Sequence, residues 1–180
     1  LKLTQAGTMY KEAVNGSFTD DDVKVQSVVT DISTEWTEHA SILNIPSDTY
    51  FVTPEIYVYN PTGEQVTVYL DAISIAPYRG RAILQNGGFE EMRDATHYKY
   101  WDNFNLSGGA ETKADTTTMH SGTQSLNIVL PSDTALFQLG QWWIPVDEQY
   151  AYEAEGWYKQ ENQNAQIELR FTFYDSNSVH

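Results

Sequence analysis

The chain has 180 residues, with 10 Lys or Arg against 25 Asp or Glu, which gives a net charge of −15 with His neutral. So acidic a chain has no basic footprint for a phosphate backbone, which argues against nucleic acid as a partner. It has no Cys, which excludes disulfide scaffolds, Cys-ligated zinc and thiol nucleophiles but leaves the redox compartment open. The content of 41% hydrophobic and 13% aromatic residues is too high for a disordered tail. The length suits one large β domain, whose core would remove about 70% of the unfolded surface from water. No run of about 18 apolar residues is present, so no membrane-spanning helix is expected. The start at Leu1, already in strand-like sequence and without Met, suggests a processed protein or a fragment.

Taken in chain order, the patterned stretches all have period two. Leu1 and Leu3 alternate with Lys2 and Thr4, and Val23 and Val25 with Lys24 and Gln26. Ile56 and Val58 alternate with Tyr57 and Tyr59, and Val66, Val68 and Leu70 with Thr67 and Tyr69. In the second half, Leu126, Ile128 and Leu130 share one parity, as do Ile167, Leu169, Phe171 and Phe173. Such alternation of β-branched, aromatic and polar residues predicts half-buried antiparallel strands. Turn signals separate the strands: Asn15-Gly16, Pro46-Ser47-Asp48, Asn60-Pro61-Thr62-Gly63, Asn86-Gly87-Gly88, Ser107-Gly108-Gly109, Ser121-Gly122 and Pro131-Ser132-Asp133. No helical period competes, so the prediction is an all-β, two-sheet sandwich.

Within the stretch from Val66 to Ile75 the parity switches: Ile73 and Ile75 fall opposite to Val66, Val68 and Leu70. One extra residue near Asp71-Ala72 restores a common inward face, as a β-bulge does, and a bulge would re-aim Asp71. A junction follows at residues 79–81, where Arg79-Gly80-Arg81 lies between patterned segments. It divides the sequence into 1–78 and 82–180. Leu1-Lys2-Leu3-Thr4 matches Ile167-Glu168-Leu169-Arg170 in pattern only.

The segment Ile83-Leu84-Gln85-Asn86-Gly87-Gly88-Phe89-Glu90 is followed by Trp101, the turn His120-Ser121-Gly122, an alternating strand to Ile128, and a Tyr-led strand from Tyr150 to Lys159. This succession resembles the opening two-thirds of the carbohydrate-binding jelly-roll modules attached to xylanases and other glycanases (the family 4, 9 and 22 group). Residues 1–78 resemble the last third, with Thr34-Glu35-Trp36-Thr37, Ile45-Pro46, Ile56 to Tyr59, and a last strand holding Asp71. The order is permuted, tail first and head second. The resemblance implies an antiparallel jelly-roll β-sandwich that the two parts complete, within the chain or between neighbouring copies; Arg79-Gly80-Arg81 would then join the family's last strand to its first.

The resemblance also implies a structural Ca²⁺ where first and last strands meet, with Gly88, Glu90, Thr123 and Asp71 as ligands and Ser121 as the near alternative to Thr123. By that resemblance Gly88 and Thr123 would give carbonyl oxygens and Glu90 and Asp71 carboxylates, and hard cations take six to eight oxygens of these kinds. The acidic run Asp20-Asp21-Asp22 reads as a solvated turn. A second implication is a polysaccharide or glycan ligand. Candidates to stack on its rings or bond its hydroxyls are Trp142, Trp143, Tyr98, Tyr100, Tyr158, Gln138 and Gln141, with Trp157 beside them. Neighbours in a strand face opposite ways, so at most one of Trp142 and Trp143 is expected in the core. Trp36 and Trp101 match packed positions of the family.

For catalysis there is no pattern. No nucleophile elbow, zinc-protease helix motif or P-loop occurs, His39, His97, His120 and His180 are scattered, and nothing sets two carboxylates across a cleft. The expectation is a non-catalytic carbohydrate-binding module of an extracellular or surface-attached protein. The competing expectation is a structural repeat of a filament, adhesin or virion appendage that self-associates with neighbouring copies.

Overall fold

A computed structural model of the protein describes the backbone of residues 7–10 and 24–31 and all of residues 33–162 and 165–175. The Leu1–Thr4 alternation, the Asn15-Gly16 turn, Asp20–Asp22 and His180 lie outside the described residues. The strands are β1 (Gly7–Tyr10), β2 (Lys24–Asp31), β3 (Thr37–Leu43), β4 (Phe51–Tyr59), β5 (Val66–Pro77), β6 (Asp102–Ser107), β7 (Glu111–Asp115), β8 (Ser125–Leu130), β9 (Leu136–Gly140), β10 (Ile144–Pro145), β11 (Tyr152–Gln160) and β12 (Gln166–Tyr174). No helix occurs among the described residues, and so none that is long and apolar enough to cross a membrane.

All pairings are antiparallel. One sheet runs β1-β2-β12-β4-β9-β6, with β10 also on β4; the other runs β3-β11-β5-β8-β7. Each sheet takes strands from both sides of residues 79–81: β4 lies between β12 and β9, and β5 between β11 and β8. The alternating positions supply the core of the sandwich: Ile56 and Val58 from β4, Ile167 and Phe171 from β12, Val68 and Leu70 from β5, and Leu126 and Ile128 from β8, all at most 2% exposed. Each such side chain contributes about 1.5–3 kcal/mol by leaving water. Phe89, Tyr98 and Trp101 close one end of this core, with ring centroids 5.1–5.3 Å apart between Phe89 and its two neighbours.

Three interruptions of the ladders place the surface features. In β5, Ser74 pairs with Glu155 and Asp71 with Trp157, so three steps on β5 match two on β11. The extra residue is Ala72, at φ +51°, which accounts for the parity switch. In β6, Asn103 and Asn105 pair with the consecutive Leu139 and Gln138, which makes Phe104 an extra residue. On β4, Val52 pairs with Ile144 and Glu55 with Gly140, so three steps match four and one residue is extra between β9 and β10. The cause lies on β4. Pro54 has no N–H to give its neighbour; only its carbonyl is used, accepting from Gln141 N–H at 3.2 Å. The neighbouring strand therefore leaves the ladder at Gln141-Trp142-Trp143.

Candidate functional site

The β5 bulge lies beside the glycine-rich turn. Ile73 N–H donates to the Gly87 carbonyl at 2.9 Å, and a Cβ on Gly87 would overlap the Ile73 carbonyl. A Cβ on Gly88 would stand 3.6 Å from Glu90 Cγ and 3.9 Å from Asp71 Oδ1. Gly88, Glu90, Asp71 and Thr123 therefore share one small seam. Asp71 is fully buried. Its Oδ2 accepts from the His120 and Ser121 N–H groups at 2.9 and 2.8 Å, and its Oδ1 from Ala72 N–H at 2.7 Å. Glu90 accepts from Thr123 N–H at 3.0 Å and Thr123 Oγ1 at 2.5 Å.

Burial raises the pKa of Asp71 despite those N–H bonds. For Glu90, burial acts upward, but the Thr123 hydroxyl and the Thr123 and Gln124 N–H groups outweigh it and lower the pKa. The donors fit a hard cation in kind: two carboxylates, a hydroxyl and the carbonyls of a glycine-rich turn. Each carboxylate keeps acceptor capacity beyond its N–H bonds. Among the described residues no three His, Cys, Asp or Glu side chains converge, so an ion here would complete its shell with carbonyl and water oxygens.

The second region is the bulge at Gln141-Trp142-Trp143. Trp143 sits at φ +47°, so the alternation rule for neighbouring strand residues fails here. Neither Trp is in the core: Trp142 is 54% and Trp143 36% exposed, with ring centroids 6.4 Å apart and nearly perpendicular. Phe137 and Leu139 face the core, so Gly140 faces outward. A Cβ on Gly140 would collide with the Phe104 ring, which places that ring on the outer face of the seven-stranded sheet. Trp142 packs on Phe104 with centroids 4.2 Å apart. Farther along the same face, Gln138 Nε2 donates to Glu55 Oε1 at 3.3 Å, and Arg170 lies over the Tyr57 ring at 4.1 Å. Tyr57 and Tyr59 are parallel at 6.1 Å, and Tyr59 OH donates to Glu168 at 2.6 Å. Burial raises the Glu55 pKa, opposed by Arg170, Tyr57 and Gln138.

Three of the expected sugar contacts need correction. Tyr158 is 0% and Tyr98 2% exposed; both are core rings and offer no face to a ligand. Gln141 is 4% exposed, and its amide is used within the fold: it accepts from Gln85 N–H at 3.2 Å and donates to the Gln85 carbonyl. Trp142, Trp143, Tyr100 and Gln138 remain accessible or half-buried. Trp101 is buried as expected, whereas Trp36 is half-buried and meets His120 edge-on at 5.8 Å. Trp157 lies outside the core and stacks with His120 at 3.7 Å. Phe104 and Arg170 escaped sequence reasoning. The one usable signal was parity: Arg170, Tyr57 and Tyr59 all alternate with core residues on strands that pair.

Comparison with protein-family models, with curated proteins and with solved structures finds no match to this chain. The class defined by the coordinates is an all-β sandwich of two antiparallel sheets.

Proposed function

We propose that the protein is a non-catalytic carbohydrate-binding β-sandwich of the jelly-roll type, from a secreted or surface-attached protein. The observation that carries this reading is Trp142, more than half exposed and backed by Phe104 on the outer sheet face. A flat ring held rigid by a second ring is suited to stacking on the apolar face of a sugar. Polar groups nearby, Gln138, Asn105 and Tyr57, are suited to its hydroxyls. The seam of Asp71, Gly88, Glu90 and Thr123 supports a structural Ca²⁺, which would hold the segment before β6 against the bulge of β5. The test is titration of the soluble chain against a broad panel of polysaccharides. Binding that weakens at least tenfold in Trp142→Ala supports the reading. Silence across the panel, together with concentration-dependent self-association, favours a structural repeat instead.

A further inference from the structure

At the same bulge lies an open groove of ≈ 190 Å³. It is lined by Ile83, Gln85 and Tyr100 together with the bulge residues Gln141, Trp142 and Trp143 and the start of β10. Three observations point to an occupant. First, two of the chain's strained residues line it. Tyr100 at φ +71° and Trp143 at φ +47° adopt the left-handed backbone that bulky side chains avoid. Neither is compensated by burial, since Tyr100 is 46% and Trp143 36% exposed. Strain kept to hold two rings in solvent around one groove is strain of the kind found at ligand sites.

Second, no charged side chain lines the groove, although the chain carries a net charge of −15. Third, two segments of the lining are tied together. The buried amide of Gln141 accepts from Gln85 N–H and donates to the Gln85 carbonyl, which leaves the exposed Gln85 side chain at the rim. Lys99 covers one face of the Tyr100 ring, with Nζ 4.8 Å from its centroid.

We propose that this groove binds one uncharged pyranose ring, a chain terminus or branch, through Tyr100 and Trp143, next to the platform of Trp142 and Phe104. Two nearly perpendicular indoles, the apolar Ile83, Ile144 and Pro145 and a neutral amide rim match a sugar with apolar C–H faces and neutral hydroxyls; the Lys99 ammonium at the Tyr100 ring is already paired with Glu91 at 2.7 Å. The proposal rests on the glycan-binding reading above and adds to it a subsite that adjoins the platform at Trp142.

The experiment follows the Trp indole N–H signals by NMR while glucose, galactose, mannose, xylose, N-acetylglucosamine and glucuronate are added singly to the whole chain. At least one neutral sugar is expected to move the Trp143 signal with a millimolar Kd. In Tyr100→Ala the same sugar binds at least fivefold more weakly, followed on the Trp143 indole. Trp143→Ala weakens it at least tenfold, followed on the Trp142 indole and by calorimetry. Leu136→Ala, at an exposed side chain outside the groove lining at the far end of β9, leaves it unchanged. Glucuronate moving the signal as strongly as neutral sugars would overturn the proposal. So would a proline-rich peptide that moves it where no sugar does. If polysaccharide binding depends on Trp142 but no monosaccharide moves Trp143, the groove fails and the platform stands. If a monosaccharide binds through Trp143 but no polysaccharide binds, the platform fails and the groove stands. If nothing binds, both fail.

Discussion

The two sheets each carry a bulge with one extra residue at positive φ, and the two bulges do opposite things. In β5 the extra Ala72 lets Asp71 turn inward and become fully buried, with three backbone N–H groups around its carboxylate. Between β9 and β10, the extra residue pushes Trp142 and Trp143 out to solvent. The difference lies in what each bulge faces. The residues flanking Ala72 meet the glycine turn, Ile73 bonding Gly87 and Asp71 lying against Gly88; the strand bearing the tryptophans faces Pro54, which has no N–H to give it. A bulge is therefore a neutral device, and its surroundings decide whether it strengthens the fold or presents a surface.

The largest expected effect breaks the inner bulge. Asp71→Ala leaves three N–H donors without their carboxylate, and denaturant unfolding should show a loss of about 3–4 kcal/mol. Next comes the ion. If Ca²⁺ binds only the native seam, calcium at 100-fold its Kd adds about 2.7 kcal/mol. For a chain of this size that lowers the thermal midpoint by about 5–10 °C on adding chelator. An unchanged midpoint would retire the ion. The outer bulge should respond in the opposite sense: Trp142→Ala should alter stability by no more than about 1 kcal/mol while weakening glycan binding at least tenfold, which is about 1.4 kcal/mol.

A finer comparison uses glycine at both extra positions, because glycine accepts positive φ without strain. Ala72→Gly should stabilise by about 0.5–1 kcal/mol. Trp143→Gly should change stability by less than about 1 kcal/mol despite deleting a whole indole. A large loss in the latter would mean that the ring serves packing and not binding.

The smallest effect is a pH slope. Burial raises the Glu55 pKa, so the native state holds its proton more tightly than the unfolded chain. Stability from this group is thus present at low pH and falls as pH rises from the ordinary glutamate range through the raised value. Glu90, lowered, acts with the reverse sign, its contribution being lost as pH falls through its native value. Glu55→Gln should flatten the first slope and leave the second, as read from midpoints in a pH series.

Some of this was visible in the residues alone. The switch of parity between Leu70 and Ile73 announces the inner bulge, because period-two burial cannot be kept without an added residue. The glycine-rich turn before Phe89 marks where a backbone must come close. The outer bulge was not visible, since its cause, Pro54, lies far away in sequence and acts only once β4 and β9 are neighbours. For the same reason Tyr158 reads as a candidate ligand ring: a tyrosine in a strand has a side but not yet a partner sheet, and here that side is the core; Tyr98 lies in the loop before β6, and packing on Phe89 buries it.

What the chain determined by itself is local: which segments extend, where they turn, which parity is apolar, and that a carboxylate sits at the kink. Pairing between distant strands decided the rest. It set Gly88 between Asp71 and Glu90, raised the Phe104 ring over Gly140, and forced Trp142 and Trp143 outward opposite a proline. Alternation specifies a face, but only the register of the neighbouring strand specifies what that face meets.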